Sequence, residues 1–263
     1  MSSRIGKEIQ YILLRNYYSW KIFFVYRTQA FLWILESAFS TLVSYISISV
    51  IYSVSSGIAG WSYYQILFLA ATSNMMFGLI YYFVNPNSLM NIMTYGNLDQ
   101  KLTKPYTKFS IMITESGFVG SVGTFISGLV LLAYSLGHLQ LGLLHTLGYG
   151  VLFITGTLVF AVFITMFTIL SYKLVKGAGV VYRGLNLSST ISNYPLSVYG
   201  VVGALIFSLL FPIGLAYYYP AAAFFGKISL QSYLLALLAS VLIGVLSYEL
   251  FNFLMRSYTS GGG

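Results

Sequence analysis

Apolar runs of about 20 residues recur along the whole chain, each long enough as a helix to cross a hydrocarbon layer of ~30 Å. They lie at about 29–52, 63–84, 110–134, 144–170, 196–218 and 230–254. A bilayer core offers no hydrogen-bond partner to a backbone N–H or C=O, so a spanning segment must be a helix or a strand of a closed barrel, and barrel strands are only ~9–11 residues of alternating polarity. These runs are too long and too uniformly apolar for strands. The expected fold is an all-α integral membrane protein with about six transmembrane helices and no soluble domain. Composition agrees, because only 7% of the 263 residues are charged, against about 25% in an ordinary soluble domain.

Before the first run, residues 4 to 24 alternate at helical spacing. Ile5, Ile9, Ile12, Leu13, Tyr17 and Trp20 fall on one side, and Arg4, Lys7, Glu8 and Arg15 on the other. This pattern predicts an interfacial elbow helix over residues 1–27, ahead of a six-helix transmembrane domain over 28–257 and a tail, disordered or an expression scar, over 258–263. No small-residue cleavage site follows a short apolar region, so no cleavable signal is expected. Of the 13 Lys and Arg residues, 12 fall on one side of the six-span map (Arg4, Lys7, Arg15, Lys21, Arg27, Lys101, Lys104, Lys108, Lys173, Lys176, Arg183, Arg256) and only Lys227 on the other. Cytoplasmic loops carry the excess of basic residues, so both termini are expected in the cytoplasm and the chain in the plasma membrane. Trp61, Tyr63, Tyr64, Tyr81, Tyr82 and Tyr217 to Tyr219 sit where spans should meet headgroups, in agreement. The net charge of +8 is thus spent on topology, and no nucleic-acid partner is expected.

Two connections on the cytoplasmic side are long enough to fold. The first, about 85–108, runs from Asn85-Pro86 through a helix-like stretch to Tyr95, with Gly96 as a C-cap, and on to Pro105. The second, about 172–194, carries Lys173, Lys176, Gly177, Gly179 and Arg183 and ends at Pro195. Between the last two spans, the apolar stretch about 212–228 is broken by Pro212, Gly214, Pro220 and Gly226 and is expected to form a re-entrant or interfacial hairpin on the outer face, with Tyr219 beside Pro220.

Catalytic chemistry has little support. There is no cysteine, hence no disulfide or thiolate metal site. Lys176-Gly177-Ala178-Gly179 lacks the spacing of a phosphate loop, and neither G-x-S-x-G nor H-E-x-x-H occurs. His138 and His145 lie seven apart with no carboxylate near them in sequence, so no metal site is expected. Polar residues inside spans say more. Glu36, Glu115 and Glu249 stand nine, seven and seven residues from Arg27, Lys108 and Arg256, which places each about 10–14 Å inside the membrane. A charge there costs roughly 2.5–3.5 kcal/mol, so it should face a partner or water. Pairing with elbow or loop cations is the favoured reading, ahead of a translocation route or a proton relay. Small-residue stripes (Gly117, Gly120, Thr124, Gly128; Ala236, Ser240, Gly244) predict close helix approach within the chain rather than a dimer seam.

The layout resembles the permease subunits of ABC-2-type transporters. Gly96-Asn97-Leu98-Asp99-Gln100-Lys101-Leu102-Thr103-Lys104-Pro105 is similar to the G-x-L-D-x-x-L-x-x-P segment of a little-characterised ABC-2 permease group. Asn193-Tyr194-Pro195, Phe211-Pro212 and Tyr219-Pro220-Ala221 resemble its second signature. The resemblance implies an exporter subunit, not itself an enzyme, that pairs with a second permease subunit as a homo- or heterodimer among membrane lipid. It further implies separate cytoplasmic ATP-binding subunits that hold ATP and Mg, this chain holding no cofactor. Asn97, Leu98, Asp99, Gln100, Lys101, Leu102 and Lys104 would then belong to the coupling helix that docks on the ATPase. The rival classes are an ion-coupled secondary transporter using the three glutamates, which should show an internal repeat, and a membrane scaffold or membrane-embedded enzyme.

Overall fold

The computed structural model describes residues 2–55, 57–139, 143–175 and 179–258. It is all-helical apart from turns. In order come α1 (Ser2–Val25), α2 (Arg27–Val54), α3 (Tyr63–Phe83), α4 (Pro86–Thr94), α5 (Asn97–Leu102), α6 (Lys108–Ser116), α7 (Val122–Leu136), α8 (Leu143–Val175), α9 (Gly179–Ile191), α10 (Gly200–Leu205), α11 (Gly214–Phe224) and α12 (Leu230–Arg256). Among the described residues five helices are long and apolar enough to cross a membrane, and a sixth crossing follows if the bent pair 183–191 and 196–210 counts as one span. Lys176, Gly177 and the tail beyond residue 258, for which the sequence raised expectations, lie outside the described residues.

The bundle is built around α3. It is buried along most of its length, from Ile66 to Ile80, by α7, α8 and α11. Glycines set the closeness of these contacts. A Cβ on Gly78 would sit 2.5 Å from the backbone N of Phe125, and one on Gly128 would sit 2.8 Å from that of Met75, so α3 and α7 touch backbone to backbone. A Cβ on Gly156 of α8 would run into the Leu215 carbonyl of α11. The stripe glycines Gly128 and Gly244 (the latter facing Val159) therefore pack inside the chain, as their spacing predicts. By contrast α2 stands at the periphery, with only Ala30 and Ile48 buried.

Two expected spans are broken. The run 110–134 is interrupted at Gly117-Phe118, so Glu115 lies on the separate helix α6 and not inside a crossing helix. The end of α3 satisfies the freed backbone groups: Phe118 N–H donates to the Tyr81 carbonyl at 3.0 Å, and Asn85 N–H to the Ser116 carbonyl at 3.3 Å. A Cβ at Gly117 would strike the Tyr82 carbonyl, so the crossing needs glycine.

The second broken run is 196–218. Much of the presumed loop 172–194 is the helix α9, and it climbs to mid-bundle, where Ser192 Oγ meets Ser73 Oγ at 2.6 Å. Ser73 is the middle residue of α3. Pro195 then stops the helix. Residues 196–210 leave at 111° to α9 as a short helical arm whose outer side, including Val201 and Leu210, is exposed. The chain turns at Phe211, Pro212 and Ile213, with Phe211 against Phe160, Phe163 and Phe167 of α8. α11 then runs from this turn toward the end of the bundle where Lys227 Nζ donates to the Gly60 carbonyl at 2.8 Å. The hairpin expected at 212–228 is thus displaced toward the N-terminus. Pro212 is buried in the turn, Tyr219 is half-buried, and Pro220 sits within the buried helix α11. Tyrosine hydroxyls cover the carbonyls freed by the break, Tyr199 bonding that of Ile191 and Tyr217 that of Tyr194, both at 3.1 Å.

Candidate functional site

Basic side chains gather at one end of the bundle, and there they tie together elements distant in sequence. Lys108 Nζ donates to the Met255 carbonyl at 3.0 Å, and Lys173 bonds the Ser257 hydroxyl, so the ends of α6, α8 and α12 meet here. Lys227 stands at the opposite end, over the ring of Trp61.

The site at the basic end is the segment α4–α5 and its anchorage. Asn85 caps α4 by accepting from the N–H groups of Asn87 (3.0 Å) and Ser88 (3.2 Å), and Pro86 fits the first helical position, where no N–H is needed. Leu89, Met90 and Met93 bury the inner side. Gly96, at φ 70°, makes the left-handed turn into α5 that its position predicts. Within α5, Leu98 is buried and Leu102 rests half-buried on the core, whereas Asn97 and Gln100 are exposed. Asp99 lies beside Tyr258, whose phenol is pushed up to about 12 by burial and by that carboxylate. At the tip, Tyr95 is 74% exposed.

Lys101 and Lys104 reach toward Glu115. Lys101 Nζ lies 2.5 Å from one carboxylate oxygen, and Lys104 Nζ 2.6 Å from the other. The Tyr11 hydroxyl of α1 also donates to Glu115 at 2.6 Å, and Arg15 stands 3.8 Å away. The carboxylate is 8% exposed. Burial alone would raise its pKa, but the hydrogen bonds from Lys101, Lys104 and Tyr11 outweigh it and hold the group down to about 2. Tyr11 is driven up to about 12 by burial and by the same carboxylate, so it stays a neutral donor. Its ring stacks on Tyr106 at 4.2 Å. One turn earlier, Glu8 accepts from the Thr107 N–H (3.2 Å) and the Ser110 hydroxyl (2.8 Å), fastening α1 to the start of α6. Together these bonds clamp α5, α6 and α1 into one unit.

Of the three glutamates singled out in the sequence, only Glu115 enters this cluster. Glu36 lies exposed on α2 and lines a separate polar cavity of about 280 Å³ with Asn85 and Asn87. Glu249 lies on an exposed face of α12. Neither lines the groove that holds Glu115. Sequence reading missed Tyr11, Tyr95 and Tyr106. The stripe Glu8, Tyr11, Arg15 and Ser19 was visible at helical spacing, but nothing in the sequence reveals that it faces residues about a hundred positions on. His138 stacks on Tyr64 at 4.2 Å, and no group of three potential metal ligands occurs among the described residues.

No curated protein and no solved structure matches the chain. Residues 38–262 match the family described as ABC-2 family transporter protein, a range that takes in α4, α5 and Glu115 but starts after α1. With most of its length inside that match and an all-helical membrane fold around it, the chain belongs to the ABC-2 transporter family.

Proposed function

We propose that this chain is the membrane subunit of an ATP-driven exporter, and that α4–α5 is the lever on which a separate cytoplasmic ATP-binding subunit, holding ATP and Mg, docks. The single observation that carries the reading is the division of labour in α5: Leu98 and Leu102 anchor it, Lys101 and Lys104 lock it to Glu115, and Asn97 and Gln100 are left facing outward. A rigid helix with an unspent polar face suits a partner that pushes. Exposed Tyr95 is the anchor such an interface would bury, since tyrosine is among the residues that dominate binding energy. The basic end would be cytoplasmic, with both termini there. A second permease subunit would pack against the sparsely buried α2, giving a dimeric route through the membrane.

Purification of the tagged chain from its native membrane is expected to bring down an ATPase carrying a phosphate loop. Tyr95→Ala is expected to reduce its retention at least ten-fold, the loss of an interface hot spot. Asp99 or Leu102 substitutions should depress transport. If no ATP-hydrolysing protein associates, and those substitutions leave transport intact, the reading fails.

A further inference from the structure

Beside α5 lies a polar groove of about 710 Å³ lined by Arg15, Lys101, Lys104, Glu115, Asn97 and Gln100, so the exposed Asn97 and Gln100 border it too. Its three cations face a single carboxylate, which leaves the groove positive by two charges. Arg15 and Gly117 also line a second cavity of about 310 Å³, between α1, the start of α2 and the break before α7. That second space is walled by Ile22, Phe23, Trp33 and Phe118, with the Trp33 and Phe118 rings edge to face at 4.7 Å. The two cavities are neighbours that share Arg15 and Gly117 in their walls, the first cationic and the second mainly apolar. α1 beside it turns Ile9, Leu13 and Tyr17 outward, as a helix lying in the headgroup layer does.

We infer that the two cavities act as one slot that holds an anionic phospholipid, its phosphate between Arg15, Lys101 and Lys104 and an acyl chain along Ile22 and Phe118. An anion there completes the charge balance that Glu115 leaves unfinished, and a chain fills a surface that water would hydrate poorly. Arg15 stands at the junction of both cavities, so it reads the headgroup. A guanidinium suits this task because its planar donors match phosphate. The lipid would brace α1 against α5 further along the face that carries the Glu8 contacts. This site draws Arg15, Ile22 and Phe23 from α1, before the range matched by the family, and Lys101, Lys104 and Glu115 from within it; Asn97 and Gln100 border both the groove and the proposed docking face, and lipid retention is read separately from association of an ATPase.

Native mass spectrometry of the purified chain tests it, with dioleoyl phosphatidylglycerol or dioleoyl phosphatidylcholine added to the detergent. Phosphatidylglycerol should be retained in preference, and Arg15→Gln should weaken retention roughly five-fold, the effect of one basic residue near an anionic surface. Arg15→Lys, which keeps the charge, should retain more lipid than Arg15→Gln. Ile22→Trp, which narrows the apolar limb, should lose lipid with all charges in place. Lys7→Gln, on α1 but outside the slot, should change nothing. Equal retention of the two lipids, equal behaviour of Arg15→Gln and Lys7→Gln, or full displacement by millimolar inorganic phosphate would each overturn the assignment, the last by marking a free-anion site.

Discussion

Gly156→Val is expected to abolish accumulation of folded protein in the membrane, read as loss of the monodisperse peak on size-exclusion chromatography in mild detergent. The Cβ at this position runs into the Leu215 carbonyl, and the Ala216 Cα lies 2.7 Å from it, so both obstacles are backbone. Overpacking a core typically costs about 1–3 kcal/mol where side chains can shift, and here nothing can shift without moving α11 as a body. That helix carries Tyr217, whose hydroxyl covers the carbonyl freed at the Pro195 break. Gly148→Val, also on α8 but with only the Tyr233 ring at 3.6 Å, should leave accumulation near the parental level. Equal accumulation of the two variants would refute the packing described for α11.

Glu115→Gln is expected to leave the protein folded but to cut transport at least ten-fold, because it removes the charge against which Lys101, Lys104 and Arg15 are arrayed. The stability cost should be about 1–2 kcal/mol, discounted because the two lysines remain a quarter to two-fifths exposed. The pH dependence has a definite sign. A carboxylate held down to about 2 contributes stability that is fully present above the ordinary carboxylate range and fades as pH falls toward that value. The difference in thermal midpoint between parent and variant should therefore be steady from pH 5 to 8 and shrink below about pH 4. A difference that grew on acidification would contradict the ion cluster. Tyr11→Phe should reproduce part of the loss, and the double variant should fall short of additivity, since both side chains act on one carboxylate.

Much of this architecture was legible in the sequence because the bilayer permits so few solutions. Run length and polarity were enough to name the fold, and Gly96 was correctly read as a turn because only a left-handed residue suits that spot. The breaks were harder. Pro195 and Pro212 announced an interruption, yet whether a proline kinks a helix or ejects an arm from the bundle depends on what else can satisfy the freed carbonyls, here Tyr199 and Tyr217. The break at Gly117 carried no proline at all and rests on a backbone contact with α3. Similarly, Glu115 read as intramembrane because depth was counted along one continuous helix. The favoured pairing with elbow and loop cations matches the geometry at Glu115, while the helix along which its depth was counted is broken at Gly117. Long-range partners such as Glu8 and Thr107 leave no periodic trace in a single sequence, so that part of the site could only come from three dimensions.

The central claim is that the outward face of α5 meets an ATP-hydrolysing subunit, and the chain's lack of cysteine allows a direct measurement. A single cysteine at Gln100, treated in native membranes with a short bifunctional thiol reagent, should cross-link to a protein that binds ATP, and a cysteine at Gly60, at the opposite end, should not. Cross-linking from Gly60 instead, or labelling of Gln100→Cys by an impermeant reagent applied from outside intact cells, would contradict it.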